Sequence, residues 1–192
     1  MLRLIGSRFH FNRGRLSPGP DRLPVFYFDQ RKLRYRLPSR VLVGPLSSNS
    51  FALIASFRPD LGSRGFLLAA PDQTTGIVKF GLALNPSSSS KDLVDIGLWL
   101  PTPLNVTFPG FPARDIDNKW TELIFLVNRN FVRLYVNCTY HDRVYIKNGR
   151  SVTDSSAILQ DTVLTIVPGE FGRGFLVSCR RILWRQLRRT QF

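Results

Sequence analysis

The sequence predicts an all-β domain, a sandwich or barrel of short antiparallel strands. Three observations lead there. From Val25 onward, apolar residues recur with a period of two in one short run after another. The runs are punctuated by Pro, Gly, Asn and Asp at roughly 8–12-residue spacing, as in sandwiches and barrels. No 3.6-residue apolar pattern extends beyond about ten residues before the C-terminal region.

The elements follow in order. In Phe51–Phe57, Phe51, Leu53, Ala55 and Phe57 alternate with Ala52, Ile54 and Ser56. Gly65–Ala70 is a compact apolar run. Val78, Phe80, Leu82 and Leu84 share one face of Val78–Leu84, and Val94, Ile96, Leu98 and Leu100 do the same in Val94–Leu100. Trp120–Val127 and Phe131–Cys138 are split by Asn128-Arg129-Asn130, a polar hairpin tip. Later runs are Arg143–Lys147, Thr162–Val167 and Gly174–Trp184. Arg58-Pro59-Asp60, Pro71-Asp72-Gln73 and Asn85-Pro86-Ser87 end runs, and Ser87–Ser90 reads as a loop tip. Pro101–Pro112 holds four prolines and is expected to be a long irregular connection.

A chain of 192 residues, 43% hydrophobic, can bury a real core. No stretch of about 18 apolar residues would make a membrane-spanning helix. Residues 1–24 are turn-prone and lack periodicity, so they read as a basic leader or linker. The folded domain is expected over 25–185, with a basic tail at 186–192. Met1–His10 is broken by Arg3, Arg8 and His10 and does not read as a signal peptide.

The net charge of +14 is concentrated at the ends. Residues 1–41 carry ten Arg or Lys against two Asp, and residues 180–192 carry five Arg and no acid. The stretch between them holds twelve basic and eleven acidic residues. Of the 27 basic residues, 22 are Arg, whose planar fork suits sulfate, phosphate and carboxylate. Basic ends on a near-neutral body point to a polyanionic partner; the plainer reading is a solvated tail.

Cys138 and Cys179 both continue apolar faces: Val132, Leu134 and Val136 in one run, Phe175 and Val177 in the other. Both are expected to point inward. They could be bridged if their Cα atoms lie within about 7 Å, or remain free buried thiols. A bridge closing about 40 residues would stabilise the fold by roughly 2–4 kcal/mol. Asn105-Val106-Thr107 and Asn137-Cys138-Thr139 are N-glycosylation sequons. Asn105, in the Pro-rich connection, is the better candidate of the two.

The segment Asp117-Asn118-Lys119-Trp120-Thr121-Glu122-Leu123, then Val127, then Phe131-Val132-Arg133-Leu134-Tyr135-Val136-Asn137-Cys138, resembles the centre of the thrombospondin N-terminal-like domain. That domain is a branch of the laminin-G-like superfamily. Tyr35-Arg36-Leu37, Phe51–Pro59, Gly65–Ala69, Ile77–Leu84 and Gly174–Trp184 resemble its other strands in order and spacing, over about residues 31–184. The chain is most similar to the versions at the N-terminus of fibrillar and fibril-associated collagens. The resemblance implies an antiparallel jelly-roll β-sandwich of the concanavalin or laminin-G-like kind. It also implies an extracellular-matrix setting and a disulfide between Cys138 and Cys179. Thr121 stands where the family often has His; a second cysteine pair and a following Gly-X-Y repeat are missing.

The residues that would carry catalysis are sparse. His10 and His141 are the only histidines and Glu122 and Glu170 the only glutamates, and they form no paired-carboxylate strand. No zinc spacing or phosphate-cradling Gly loop occurs. Asp95, Asp115 and Asp117 could ligate Ca²⁺, but six to eight oxygens are needed, so they read as turn and surface carboxylates. The chain therefore reads as a non-enzyme without cofactor or metal. The leading reading is an extracellular-matrix module that binds sulfated glycosaminoglycan such as heparan sulfate. Lys32, Arg34 and Arg36 share a face of an alternating strand and, with Arg40, would form a basic ridge. Arg180, Arg181, Arg185, Arg188 and Arg189 would extend it if the termini approach. A second reading is a structural or protein-binding domain among matrix proteins, without glycan. A third, an intracellular nucleic-acid binder, rests on charge alone and has no recognised motif behind it.

Overall fold

The computed structural model describes residues 15–18, 24–29, 35–38, 50–101, 104–146, 162–166 and 176–186, with side chains at 50–101, 105–146 and 162. The strands are β1 (Arg15–Pro18), β2 (Pro24–Asp29), β3 (Tyr35–Pro38), β4 (Ser50–Pro59), β5 (Gly65–Pro71), β6 (Val78–Pro86) and β7 (Leu93–Leu100). They continue with β8 (Leu104–Pro112), β9 (Thr121–Asn128), β10 (Phe131–Val136), β11 (Thr139–Tyr145), β12 (Val163–Ile166) and β13 (Leu176–Gln186). One short helix, α1 (Ala113–Ile116), follows β8 and buries Ile116. The strands form a seven-stranded sheet in the order β1-β2-β13-β4-β9-β10-β11 and a six-stranded sheet in the order β3-β12-β5-β6-β7-β8. All pairings are antiparallel, and the chain is a jelly-roll β-sandwich.

The predicted alternation positions the core. In β9, Thr121, Leu123, Phe125 and Val127 are buried and the residues between them are not. With Phe51, Leu53, Ala55 and Phe57 of β4, and Val132 and Leu134 of β10, they make the inner face of the first sheet. Phe80, Leu82, Leu84, Val94, Ile96, Leu98, Val106 and Phe108 make that of the second. Phe108 and Phe125 meet across the sandwich at 6.0 Å between ring centroids. The tip expected at Asn128-Arg129-Asn130 is held by the Asn128 carboxamide. Its Oδ1 accepts the N–H groups of Asn130 at 2.8 Å and Phe131 at 3.1 Å, a side-chain turn typical of Asn.

Several expected boundaries move. The Pro-rich segment is strand β8 rather than an irregular connection, because it lies at a sheet edge, where a missing N–H leaves no ladder bond unmade. Its irregularity is confined to a register shift opposite Val94 and Ile96. There Gly110 adopts φ 83° and donates its N–H to Asp95 Oδ1 at 3.0 Å. Part of the expected leader is strand β1, which pairs with β2. The run expected to end at Cys138 stops at Val136. Asn137 (φ 49°) and Cys138 (φ 65°) turn the chain into β11. Two successive positive φ values are the mark of a two-residue hairpin turn.

Candidate functional site

The β10–β11 hairpin builds the most chemically loaded surface among the described residues. Alternation sends Val132 and Leu134 into the core and leaves Phe131, Arg133 and Tyr135 on the other face. The register sets Phe131 opposite Tyr145, Arg133 opposite Arg143 and Tyr135 opposite Tyr140. Two arginines are therefore direct cross-strand partners, an arrangement that like charges disfavour. Both guanidinium groups lie over Phe131, at 4.6 Å for Arg133 and 5.1 Å for Arg143 from carbon to ring centroid. Arg143 also lies 5.7 Å from the Tyr145 ring and donates to its hydroxyl at 3.0 Å. Tyr135 and Tyr140 meet edge to face at 5.7 Å.

Among the described residues, no carboxylate forms an ion pair with either arginine. The Nε atoms of Arg133 and Arg143 are buried and have no hydrogen-bond partner. The ion pairs among the described side chains lie elsewhere: Arg64 with Asp117, Lys79 with Asp72 and Lys119 with Asp115. Asp142 is the register partner of Leu134 and directs Oδ1 to the N–H of Arg143 at 2.6 Å. Two neighbouring guanidinium groups held over aromatic rings are the kind of groups that pair with sulfate, carboxylate or phosphate.

The structure distributes the residues singled out from sequence. Arg36 lies on β3 opposite Thr165, in the six-stranded sheet. Arg180, Arg181 and Arg185 lie on β13 in the seven-stranded sheet, with Arg180 in a register shift. Arg36 and the β13 arginines thus lie in different sheets. Lys32, Arg34, Arg40, Arg188 and Arg189 lie outside the described residues. One register row links the expected and unexpected arginines: Arg185 pairs with Ala52, Ala52 with Leu126, Leu126 with Arg133, and Arg133 with Arg143. Arg133 and Arg143 escaped the sequence reading because they fall in the near-neutral body. Their signal was the alternation Phe131-x-Arg133-x-Tyr135, a charged aromatic face with no acid on it.

The cysteine expectation is corrected. Cys138 is a free, exposed thiol in the hairpin turn rather than an inward strand residue. Its Sγ lies 3.8 Å from Glu122 Oε1. Cys179 pairs with Phe57, which pairs with Thr121 on β9, the strand next to the Cys138 hairpin. Three inter-strand spacings, about 14 Å, separate the two backbones, so this structure does not hold the Cys138–Cys179 bridge.

Of the sequon residues, Asn105 is exposed on edge strand β8. Asn137 is exposed too, but its Oδ1 accepts the Glu122 N–H at 2.8 Å. The three candidate calcium carboxylates have structural partners. Asp117 takes Arg64 through two bonds of 2.7 and 3.1 Å and the Gly62 N–H at 3.1 Å. Asp95 holds Gly110, and Asp115 faces Lys119. His141 stacks on Phe111 at 4.0 Å. Among the described residues, no helix is long and apolar enough to cross a membrane.

No family model and no curated protein matches the sequence. Solved structures match the fold. The receptor-binding domain of a botulinum neurotoxin C/D mosaic serotype superposes with a TM-score of 0.61 at 12% identity, over 91% of this chain and 42% of that one. A botulinum neurotoxin type C structure, whose cell entry is described as dependent upon interaction with two ganglioside molecules, gives 0.57 at 10% identity, over 90% and 42%. The NanB sialidase of Streptococcus pneumoniae, as a K499G mutant, gives 0.58 at 15% identity, over 86% and 26%. The chain thus spans less than half of each of these proteins, and at such identities the likeness establishes the jelly-roll sandwich alone.

Proposed function

We propose that this domain is a non-catalytic extracellular-matrix interaction module that binds sulfated glycosaminoglycans such as heparin or heparan sulfate. The observation that carries the reading is the uncompensated Arg133–Arg143 pair over Phe131. A structure keeps two like charges in register, with buried unpaired donors, at a cost in stability. A bound anion offsets the repulsion between the two guanidinium groups and accepts charge-assisted hydrogen bonds. The Arg185-to-Arg143 register row adds a second basic end on the same sheet. The basic segments holding Lys32, Arg34, Arg36, Arg40, Arg188 and Arg189 supply long-range attraction. The neighbour whose cell entry depends on gangliosides is a precedent for sugar partners in a chain carrying this sandwich. The resemblance to the collagen N-terminal domain supports the matrix setting.

Heparin-affinity chromatography in a salt gradient tests the reading. The wild-type chain is expected to be retained at physiological salt and to elute steeply as counterions compete. R133A/R143A should elute earlier, with a salt slope smaller by about one to two, near one per lost phosphate-type contact. Equal retention of the double variant would remove the hairpin from the site, and failure of the wild type to bind would sink the glycosaminoglycan reading.

A further inference from the structure

We infer that Asn105 is an N-glycosylation site whose first sugar packs against Trp99, so that the glycan forms part of the outer surface of the six-stranded sheet. The observation is a built aromatic platform beside a sequon. On β7, Leu98 and Leu100 are buried while Trp99 stays half-exposed on the outer face. On β8, Val106 is buried and Asn105 and Thr107 are exposed. Trp99 and Asn105 are direct register partners, and Gly97 pairs with Thr107. Cross-strand partners have Cβ atoms about 4.5–5.5 Å apart, within reach of a sugar linked to the Asn105 amide.

Two glycines make room for the platform. A Cβ on Gly97 would lie 2.4 Å from Trp99 Cζ3 and 3.0 Å from Asn85 Nδ2. A Cβ on Gly81 would lie 2.9 Å from Phe66 Cε1. The two rings then meet at 4.8 Å between centroids. Interior strand glycines weaken a strand by roughly 0.5–1 kcal/mol each relative to Ala, and here that cost lets the rings lie against the sheet. The outer face therefore carries the Phe66–Trp99 ring contact beside Asn105, the register partner of Trp99 on β8, which is an edge strand among the described strands. Neither side-chain atom of Asn105 is engaged in a hydrogen bond within the described structure. In the transfer, the Asn105 amide nitrogen attacks the anomeric carbon of a polyprenyl-diphosphate-linked oligosaccharide. The nitrogen loses one proton, and the anomeric C–O bond breaks as the polyprenyl diphosphate leaves.

The test is secretion of the full chain from a eukaryotic host behind an added signal, with peptide mapping to separate Asn105 from Asn137. The glycan is then trimmed enzymatically to a single N-acetylglucosamine. The wild type should carry it and unfold about 2–4 °C above N105Q, the shift that about one stabilising contact gives a domain of this size. In a W99A background, N105Q should change the unfolding temperature by nothing measurable. Proton NMR on the trimmed wild type should show contacts between the N-acetyl methyl group and the indole, which keeps the idea testable if W99A folds poorly. An unmodified Asn105 in secreted protein, an undiminished N105Q effect in W99A, or missing sugar–indole contacts would each overturn it. Heparin retention should be the same for N105Q and wild type, so this outcome is independent of the arginine site.

Discussion

Replacing Arg133 by Met keeps an unbranched side chain over Phe131 and deletes the charge, and three contributions change. The variant forfeits a cation–π contact, about 0.5–1 kcal/mol at a site open to water. It removes a buried Nε with no hydrogen-bond partner, a group whose burial costs about 1–3 kcal/mol. It also removes repulsion from Arg143. Both guanidinium carbons sit over one ring and are no more than about 10 Å apart, which even at the dielectric of water costs about 0.4 kcal/mol. The gains exceed the loss, so unliganded R133M should be more stable by about 1 kcal/mol, or roughly 2–4 °C in Tm. The repulsive share should shrink with added salt. Calorimetric unfolding with and without heparin reads both sides. Wild type should gain stability from the ligand by mass action, and R133M should gain less. An R133M that is less stable than wild type when free, yet equally stabilised by heparin, would refute the reasoning and make the pair a structural clamp.

Four further outcomes follow from the same geometry. R64M leaves the Asp117 carboxylate, whose side chain is 7% exposed, with only the Gly62 N–H, and should cost about 3 kcal/mol in urea unfolding, the low end for a broken buried pair. Hydrogen bonds from the N–H groups of Thr75 and Thr74 hold the Asp72 carboxyl below its ordinary 3.8; its contribution to stability is present above the unfolded value and is lost as pH falls through the folded one. An NMR titration of Asp72 should therefore show a midpoint under 3.8, and D72N should flatten that part of the acid stability profile. G97A should displace Trp99, lowering stability by about 1–3 kcal/mol through overpacking and red-shifting tryptophan emission, with much of the cost gone in W99A/G97A. Cys138 should react with a thiol reagent in the native state without denaturant; full protection that reduction abolishes would contradict its exposed, unbridged position.

The strands with one wet face were legible from sequence because side-chain direction in an extended chain alternates locally. Trp120–Val127 and Phe131–Val136 show this directly, and the Asn128–Asn130 tip is a turn for reasons internal to it. Strand β5 reads as a plain apolar run because Leu67, Leu68, Ala69 and Ala70 are all buried, so neither face of that stretch is wet. The Pro-rich β8 was hidden because proline reports a missing donor, not whether the position needs one; only its place at a sheet edge answers that.

By itself, then, the sequence determined an all-β chain with a near-neutral body and arginine-rich ends, and it exposed the alternation that carries Phe131, Arg133 and Tyr135. Tertiary structure decided which strands are neighbours. That put Arg143 across from Arg133, Arg185 in the same row, Trp99 beside Asn105, and three strand spacings between Cys138 and Cys179. The physical reason is that alternation is a property of each residue's own backbone, whereas register comes from hydrogen bonds between segments far apart in the chain.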